Sequence, residues 1–354
     1  GAATQTDPFA NDAILNDEPI RLRYWASDRP EPLGNDPYLI LGTEADCSIR
    51  LDDPSRRTSR HHAAIVRDAN RVFIRDLRSK NGVRVDGARH ERCELVPGSE
   101  LTIGGRVLIV ESARSIALRS YLARVIGWGD GRNEDVDLAL RAIRAAATGR
   151  DALVLCGGAD SISIAYAIHR ISRGADKPFI TCDRKRRSPD ESGRTFRNVS
   201  QLADAVEQAR GGTICVWSAR SRLPRDYAAS LSAVRVPSAH TQLVVCAGTP
   251  RDGERFLAAP IVIPPLASRV DEIEHVIREY ADEAIAELGV SLESLAAIDR
   301  SWILENMATS LREIETAAYR LVALRGTENI NQAAALLGLA HVSLTRWAER
   351  WNLL

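Results

Sequence analysis

The turn Cys156-Gly157-Gly158-Ala159-Asp160-Ser161 joins the apolar run ALVLC to the helical pattern ISIAYAIHRIS. A glycine pair closing a buried strand and opening a helix is where a chain cradles phosphate on backbone N–H groups. Such a site also needs a lysine for the β/γ-phosphates and a hydroxyl for magnesium. The chain has three lysines, Lys80, Lys177 and Lys185, and none lies near this turn. Asp160 instead brings negative charge to the place where phosphates would sit. The companion strand of such a site ends in acids that hold magnesium and a water. Here the apolar run Ile214-Cys215-Val216 ends in Trp217 and Ser218. The scaffold for phosphate chemistry is laid out while its reacting groups are missing, so neither ATP binding nor hydrolysis is expected.

A second group of polar side chains lies nearer the start: Gly42-Thr43, then Thr58-Ser59-Arg60-His61-His62, then Ser79-Lys80-Asn81-Gly82. Between them run short alternating segments, YLILG, CSIRL, HAAIV, VFIRDL, VRVDG, ELTIGG and VLIVES. Many short strands without a helical period predict an antiparallel β-sandwich over 19–112. Hydroxyl, amide and guanidinium groups on loops at one end of a sandwich suit a phosphate and the peptide that carries it. Taken singly, each loop also reads as ordinary hairpin chemistry.

The end of the chain offers a third surface. A helix from about Ile330 stops at Gly338, a residue suited to a left-handed cap, and a second begins near Val342. On the second, Leu344, Trp347, Ala348 and Trp351 share one face, while Ser343, Arg346 and Arg350 share the other. A helix-turn-helix presents one face of its second helix to the major groove and packs the other. An ordinary helical hairpin explains the apolar stripe equally well.

The remaining composition narrows the field. With 47 basic and 47 acidic residues there is no global pull toward nucleic acid or membrane, so any such binding is local. The six cysteines are scattered, without a C-x-x-C pair or clustered histidines, which points to no zinc site, no disulfide framework and a reducing cytoplasm. No apolar run approaches the roughly 20 residues that span a bilayer, and no signal-peptide pattern opens the chain. Gly1-Ala2, lacking methionine, reads as an expression scar. From Asp135 onward, continuous apolar strands alternate with helices, which predicts a parallel sheet covered on both faces. The run Arg184-Lys185-Arg186-Arg187 reads as a solvated loop, with contact to nucleic acid or an acidic partner as the alternative, and Ser188-Pro189 beside it is a weak phosphorylation signal.

The first ninety-odd residues of this pattern resemble the forkhead-associated (FHA) family, whose motifs run G-R, S-R-x-H and S-x-N-G and which reads phosphothreonine. The resemblance implies that Ser59 bonds the phosphate, Asn81 holds the peptide backbone and His62 braces the loop from inside. The arginine that follows glycine in the family is Thr43 here, and the loop DDPSRRTSRHH is about two residues longer, adding Arg56 and Arg57. The phosphopeptide site expected from the match comprises Thr43, Arg57, Ser59, Arg60, Ser79, Lys80 and Asn81.

Residues 134–324 resemble the AAA+ domain of bacterial enhancer-binding proteins, activators of sigma-54 RNA polymerase, through AIHRISRGADKPFITCD, AVEQARGGTICV, PIVIPPLASRVDEIEHVIREYADE and LREIETAAYRLVAL. Against that family the P-loop lysine is gone, the Walker B acids fall at Trp217 and Ser218, and the loop that grips sigma-54 is reduced to RKRRSPDESGRTFRN. The expectation is a pseudo-ATPase whose degenerate site comprises Gly157, Gly158, Asp160, Ser161, Trp217 and Ser218. The last residues resemble a Fis-type helix-turn-helix through Ala333 to Leu339, which implies DNA contacts from His341, Ser343, Thr345, Arg346 and Arg350.

The expected order is a tail over 1–18, the FHA sandwich over 19–112, a linker over 113–133 made of a connecting helix at 113–126 and a glycine hinge at 127–131, a degenerate AAA+ domain over 134–268, a helical lid over 269–325 and the helix-turn-helix over 326–354. The expected function is a cytoplasmic DNA-binding regulator, monomeric or dimeric, with a phosphothreonine protein partner, no cofactor, no metal and no enzymatic activity. The alternative is a phosphopeptide adaptor that dimerises through its C-terminal helices.

Overall fold

The computed structural model describes residues 17–69, 71–129, 131–149, 151–157, 160–183, 196–218, 227–236, 240–249 and 260–353. Gly158, the basic run 184–187 and Ser188-Pro189 lie outside the described residues.

The N-terminal unit is a sandwich of two sheets. One, in order β2-β1-β11-β10-β7-β8, holds β1 (Arg21–Tyr24), β2 (Pro30–Pro32), β7 (Val83–Val85), β8 (Ala88–His90), β10 (Glu100–Ile103) and β11 (Arg106–Glu111). The other, in order β4-β3-β5-β6-β9, holds β3 (Tyr38–Gly42), β4 (Ile49–Arg50), β5 (Ala63–Asp68), β6 (Arg71–Asp76) and β9 (Arg92–Glu94). Alternation drives the packing: Val72 and Ile74 of β6 and Leu101 and Ile103 of β10 are buried, and the residues between them are not. The sandwich departs from a purely antiparallel one, because β3 and β4 pair in parallel.

Residues 113–126, expected as a connecting helix within the linker, form a helix that packs into the core. α1 (Ala113–Ile126) starts on a capping box between Ser112 and Ser115 and buries Leu118, Tyr121, Leu122 and Val125. Those positions follow the i, i+3, i+4, i+7 period, which the surrounding Arg, Ser and Ala residues obscure. α1 and α2 (Arg132–Gly149) share one apolar core with α3 (Ser161–Arg173) and the helices that follow the sheet.

The second sheet is entirely parallel, in order β14-β13-β15-β16-β12-β17. Its strands are β12 (Leu153–Cys156), β13 (Phe179–Cys182), β14 (Arg197–Val199), β15 (Thr213–Ser218), β16 (Gln242–Ala247) and β17 (Ile261–Val262). One face carries α1 to α3, and the other carries α4 (Leu202–Gln208) and α5 (Tyr227–Val234). Three further helices follow, α6 (Ile273–Leu288), α7 (Ala297–Asn306) and α8 (Leu311–Arg325), and then a terminal pair, α9 (Ile330–Leu336) and α10 (His341–Arg350). No described helix is long and apolar enough to cross a membrane.

The sandwich is docked on α2 through charge. Arg144 forms a fork on Asp86 at 2.7 and 2.8 Å, and Arg141 pairs with Glu100 while lying over the Trp25 ring. Deeper in, Arg23 is fully buried and bonds both Asp137 of α2 and Glu111 of β11.

Candidate functional site

Three loops of the sandwich meet at one end. The strand β3 ends in Gly42, where a side-chain carbon would lie 1.8 Å from the Arg60 carbonyl oxygen, so only glycine lets the two loops approach this closely. Thr43 then donates its N–H to Ser59 O at 3.3 Å. The longer loop before β5 is organised by Asp53. Its carboxylate accepts from the N–H groups of Ser55, Arg57 and Thr58, at 3.0, 2.9 and 2.7 Å, and from the Thr58 hydroxyl at 2.7 Å. Desolvation pulls the other way, but these bonds hold its pKa well below the usual carboxylate range. Asp53 escaped the sequence reading, although an Asp two residues before a serine is a recognisable turn signal.

His62 is buried beneath these loops. The Ser59 N–H donates to its Nδ1 at 3.0 Å, so the proton sits on Nε2 and donates to Gly82 O at 3.1 Å. Burial, the largest cause, lowers its pKa and keeps the ring neutral. One imidazole thereby joins the Ser59 loop to the Asn81 loop.

At the surface, Ser59 Oγ accepts from Lys80 N–H at 3.1 Å and keeps its own proton to donate. Ser79 Oγ accepts from Gly82 N–H at 3.0 Å, so it shapes its own turn. The Asn81 side-chain amide donates to Arg57 O at 2.6 Å, which ties the inserted arginine to the same corner. Arg57 and Lys80 are exposed, and among the described residues neither has a carboxylate partner. Arg60, 85% exposed, has only a loose pairing with Glu44 at 3.9 Å. Arg89, also missed, lies against this corner, since a side-chain carbon on Gly82 would fall 2.4 Å from its Nε. A hydroxyl donor ringed by uncommitted cations is an arrangement that binds a phosphate dianion.

The glycine turn after β12 is arranged differently. Asp160 precedes α3, and its Oδ2 accepts the Leu311 N–H at the start of α8 at 3.1 Å, with the Arg312 N–H as a second donor. A helix N-terminus thus receives its anion from within the chain. Burial outweighs these bonds and raises the Asp160 pKa. Ser161 is buried, and Gly157 lies so close to Ile263 that a side-chain carbon there would fall 2.5 Å from its Cβ. At the end of β15, Trp217 packs against the apolar core and Ser218 is buried.

In the terminal pair, Ala333, Ala334, Leu344 and Ala348 are buried, and Gly338 turns the chain with φ +63°. His341, Ser343, Arg346 and Arg350 are exposed on α10. Thr345 is half-buried, with its hydroxyl donating back to His341 O at 3.0 Å. Arg350 lies over the Trp351 ring, which sits just past the helix end. The pair is seated on the preceding helices by Trp302, whose ring meets Trp347 and Trp351 edge-on, and by Arg320 over Trp347.

Residues 39–104 match the model of the FHA domain family, and the sandwich is an FHA domain. The chain is also similar to the transcriptional regulatory protein XylR of Pseudomonas putida, 28% identical over 266 residues. That match covers 63% of this chain, well beyond the sandwich, and 46% of XylR, so the chain spans less than half of this relative. Among solved structures, Mycobacterium tuberculosis EmbR in complex with a low affinity phosphopeptide is 34% identical, over 26% of this chain and 24% of that one, with a TM-score of 0.24. The FHA-2 domain of an ABC transporter from the same organism is also 34% identical, over 23% and 75%, with a TM-score of 0.20.

Proposed function

We propose that this protein is a DNA-binding transcriptional regulator that takes a phosphothreonine signal through its FHA domain and carries a catalytically inactive AAA+-like domain. The observation that carries the reading is the amphipathic split of α10: Leu344 and Ala348 are buried while His341, Ser343, Arg346 and Arg350 face outward, as a major-groove helix requires. The likeness to XylR, extending beyond the sandwich, supports a place among transcriptional regulators. Phosphopeptide input is supported by the FHA family match and by the cations around Ser59. Inactivity of the α/β domain is supported by Asp160, which puts a carboxylate where an ATPase keeps phosphate-binding groups, and by Trp217 and Ser218 in place of metal-binding acids. Such a protein acts by occupying DNA, as a monomer or dimer, and does not itself remodel sigma-54 polymerase.

A gel-shift against genomic fragments tests the reading: salt-sensitive binding to a subset of fragments is expected. No shift at micromolar protein would favour the second reading, a phosphopeptide adaptor. The observation on that side is that α10 exposes only two arginines, one already engaged with Trp351.

A further inference from the structure

We infer that the FHA sandwich carries a metal site, formed by Asp46, Cys47 and His61, whose donors suit Zn2+. Scattered cysteines and unclustered histidines hide this set in the sequence, but the fold brings the β3–β4 loop against the loop that enters β5. The three ligand atoms lie within 4.8 Å of one another, and among the described residues no other three such side chains gather this way. His61 Nε2 and Asp46 Oδ1 stand 2.7 Å apart. Cys47 is a free thiol, its Sγ held 3.2 Å from Arg60 O.

The chemistry of the set favours zinc. Thiolate, imidazole and carboxylate together match a borderline-soft cation that takes four tetrahedral ligands, and three protein donors leave one position for water. A thiolate and a carboxylate also balance two positive charges. On binding, the Cys47 S–H bond breaks and its proton leaves to solvent as the S–Zn bond forms. The His61 proton moves to Nδ1, and Nε2 becomes the ligand. His61 directly follows Ser59-Arg60, so the ion would pin the loop that carries the Ser59 hydroxyl.

The test uses the full chain, stripped with chelator and titrated with Co2+ as a coloured stand-in. The expected result is a thiolate-to-cobalt charge-transfer band that saturates at one equivalent, is displaced by Zn2+ and disappears in Cys47→Ser. His61→Ala and Asp46→Asn should each weaken cobalt binding by about tenfold or more. Because Cys47 is buried, its variant alone does not decide the matter if it misfolds, whereas His61 and Asp46 are exposed. Absence of the band in the wild type, or unchanged cobalt affinity in both exposed-residue variants, overturns the site.

Discussion

The Arg23 guanidinium donates to both carboxylate oxygens of Asp137, at 3.1 and 2.5 Å, joining β1 of the FHA domain to α2 with both side chains almost wholly buried. Its Nε–H donates to Glu111 Oε1 at 2.7 Å. Arg23→Ala would leave Asp137 buried with only the more distant Arg119, at 3.9 Å, while Glu111 keeps Arg21 at 2.7 Å. Breaking a buried pair in this way costs about 3–5 kcal/mol. Urea unfolding of the intact chain should show a loss of that size, and a loss below about 1 kcal/mol would mean that water reaches the pair.

Asp160 makes a different kind of contact, between a carboxylate and the backbone at the start of α8. Asp160→Ala orphans the Leu311 and Arg312 N–H groups, at about 1–3 kcal/mol. Asp160→Asn keeps an acceptor and relieves the buried charge, so it should cost less. Amide exchange at Leu311 and Arg312 should accelerate in the alanine variant and change little in the asparagine one. Equal acceleration in both would mean that charge, rather than the acceptor, holds the helix.

Stability should fall in mild acid because of His62. Its folded pKa is depressed below the ordinary 6.5, so between the two values the unfolded chain binds a proton that the folded chain refuses. The contribution is complete above the unfolded value and is lost as pH drops toward the folded one. His169, buried between Thr213 and the Lys177 carbonyl, has the same sign. A urea midpoint lower at about pH 5.5 than at about pH 7.5 is expected, and His62→Gln should flatten that slope. An unchanged slope in His62→Gln would assign the effect to other groups.

Arg57→Ala, if Arg57 supplies the charge missing at Thr43, should weaken a phosphothreonine peptide by about 1.5–3 kcal/mol and leave its unphosphorylated twin unaffected. Ser59→Ala should act through the phosphate. Asn81→Ala should also loosen Arg57, whose carbonyl it holds. Calorimetry on the three variants separates these roles, and wild-type affinity in Arg57→Ala would pass the role to Arg60 or Lys80.

On α10, Arg346→Ala should weaken DNA binding several-fold without changing stability, because Arg346 is exposed. Trp347→Ala removes a half-buried aromatic packed on Trp302 and should cost up to about 3–5 kcal/mol in stability. If Arg346→Ala left a footprint unchanged while Trp347→Ala broke dimers, the adaptor reading would gain.

Local patterns carried much of this fold into the sequence. Period-two runs such as VFIRD marked β6, and the continuous runs LVLC and QLVVCA marked buried parallel strands. The strands β1, β2, β8 and β9 stayed hidden, because their charged residues and prolines, as in RLRY, PEP, ARH and RCE, leave too few apolar positions to show a period. The stripe of α1 was masked by arginines that bond carboxylates far along the chain, as Arg124 does with Glu283. The loops around Ser59 were legible because turn residues cluster there. Arg89 was not, since only the fold lays it across Gly82. Arg23 reads as a surface residue until Asp137, more than a hundred positions later, is brought to it.

Half of the chain's six tryptophans, Trp302, Trp347 and Trp351, meet at the corner where α10 sits on α7. Edge-on indoles at 5.5 and 5.8 Å, one of them beneath the Arg320 guanidinium, make that seam an intrinsic optical gauge. Their emission depends on how closely the rings stay together and how much water reaches them. A large share of the protein's own fluorescence therefore reads out the seating of its last helix, without any label.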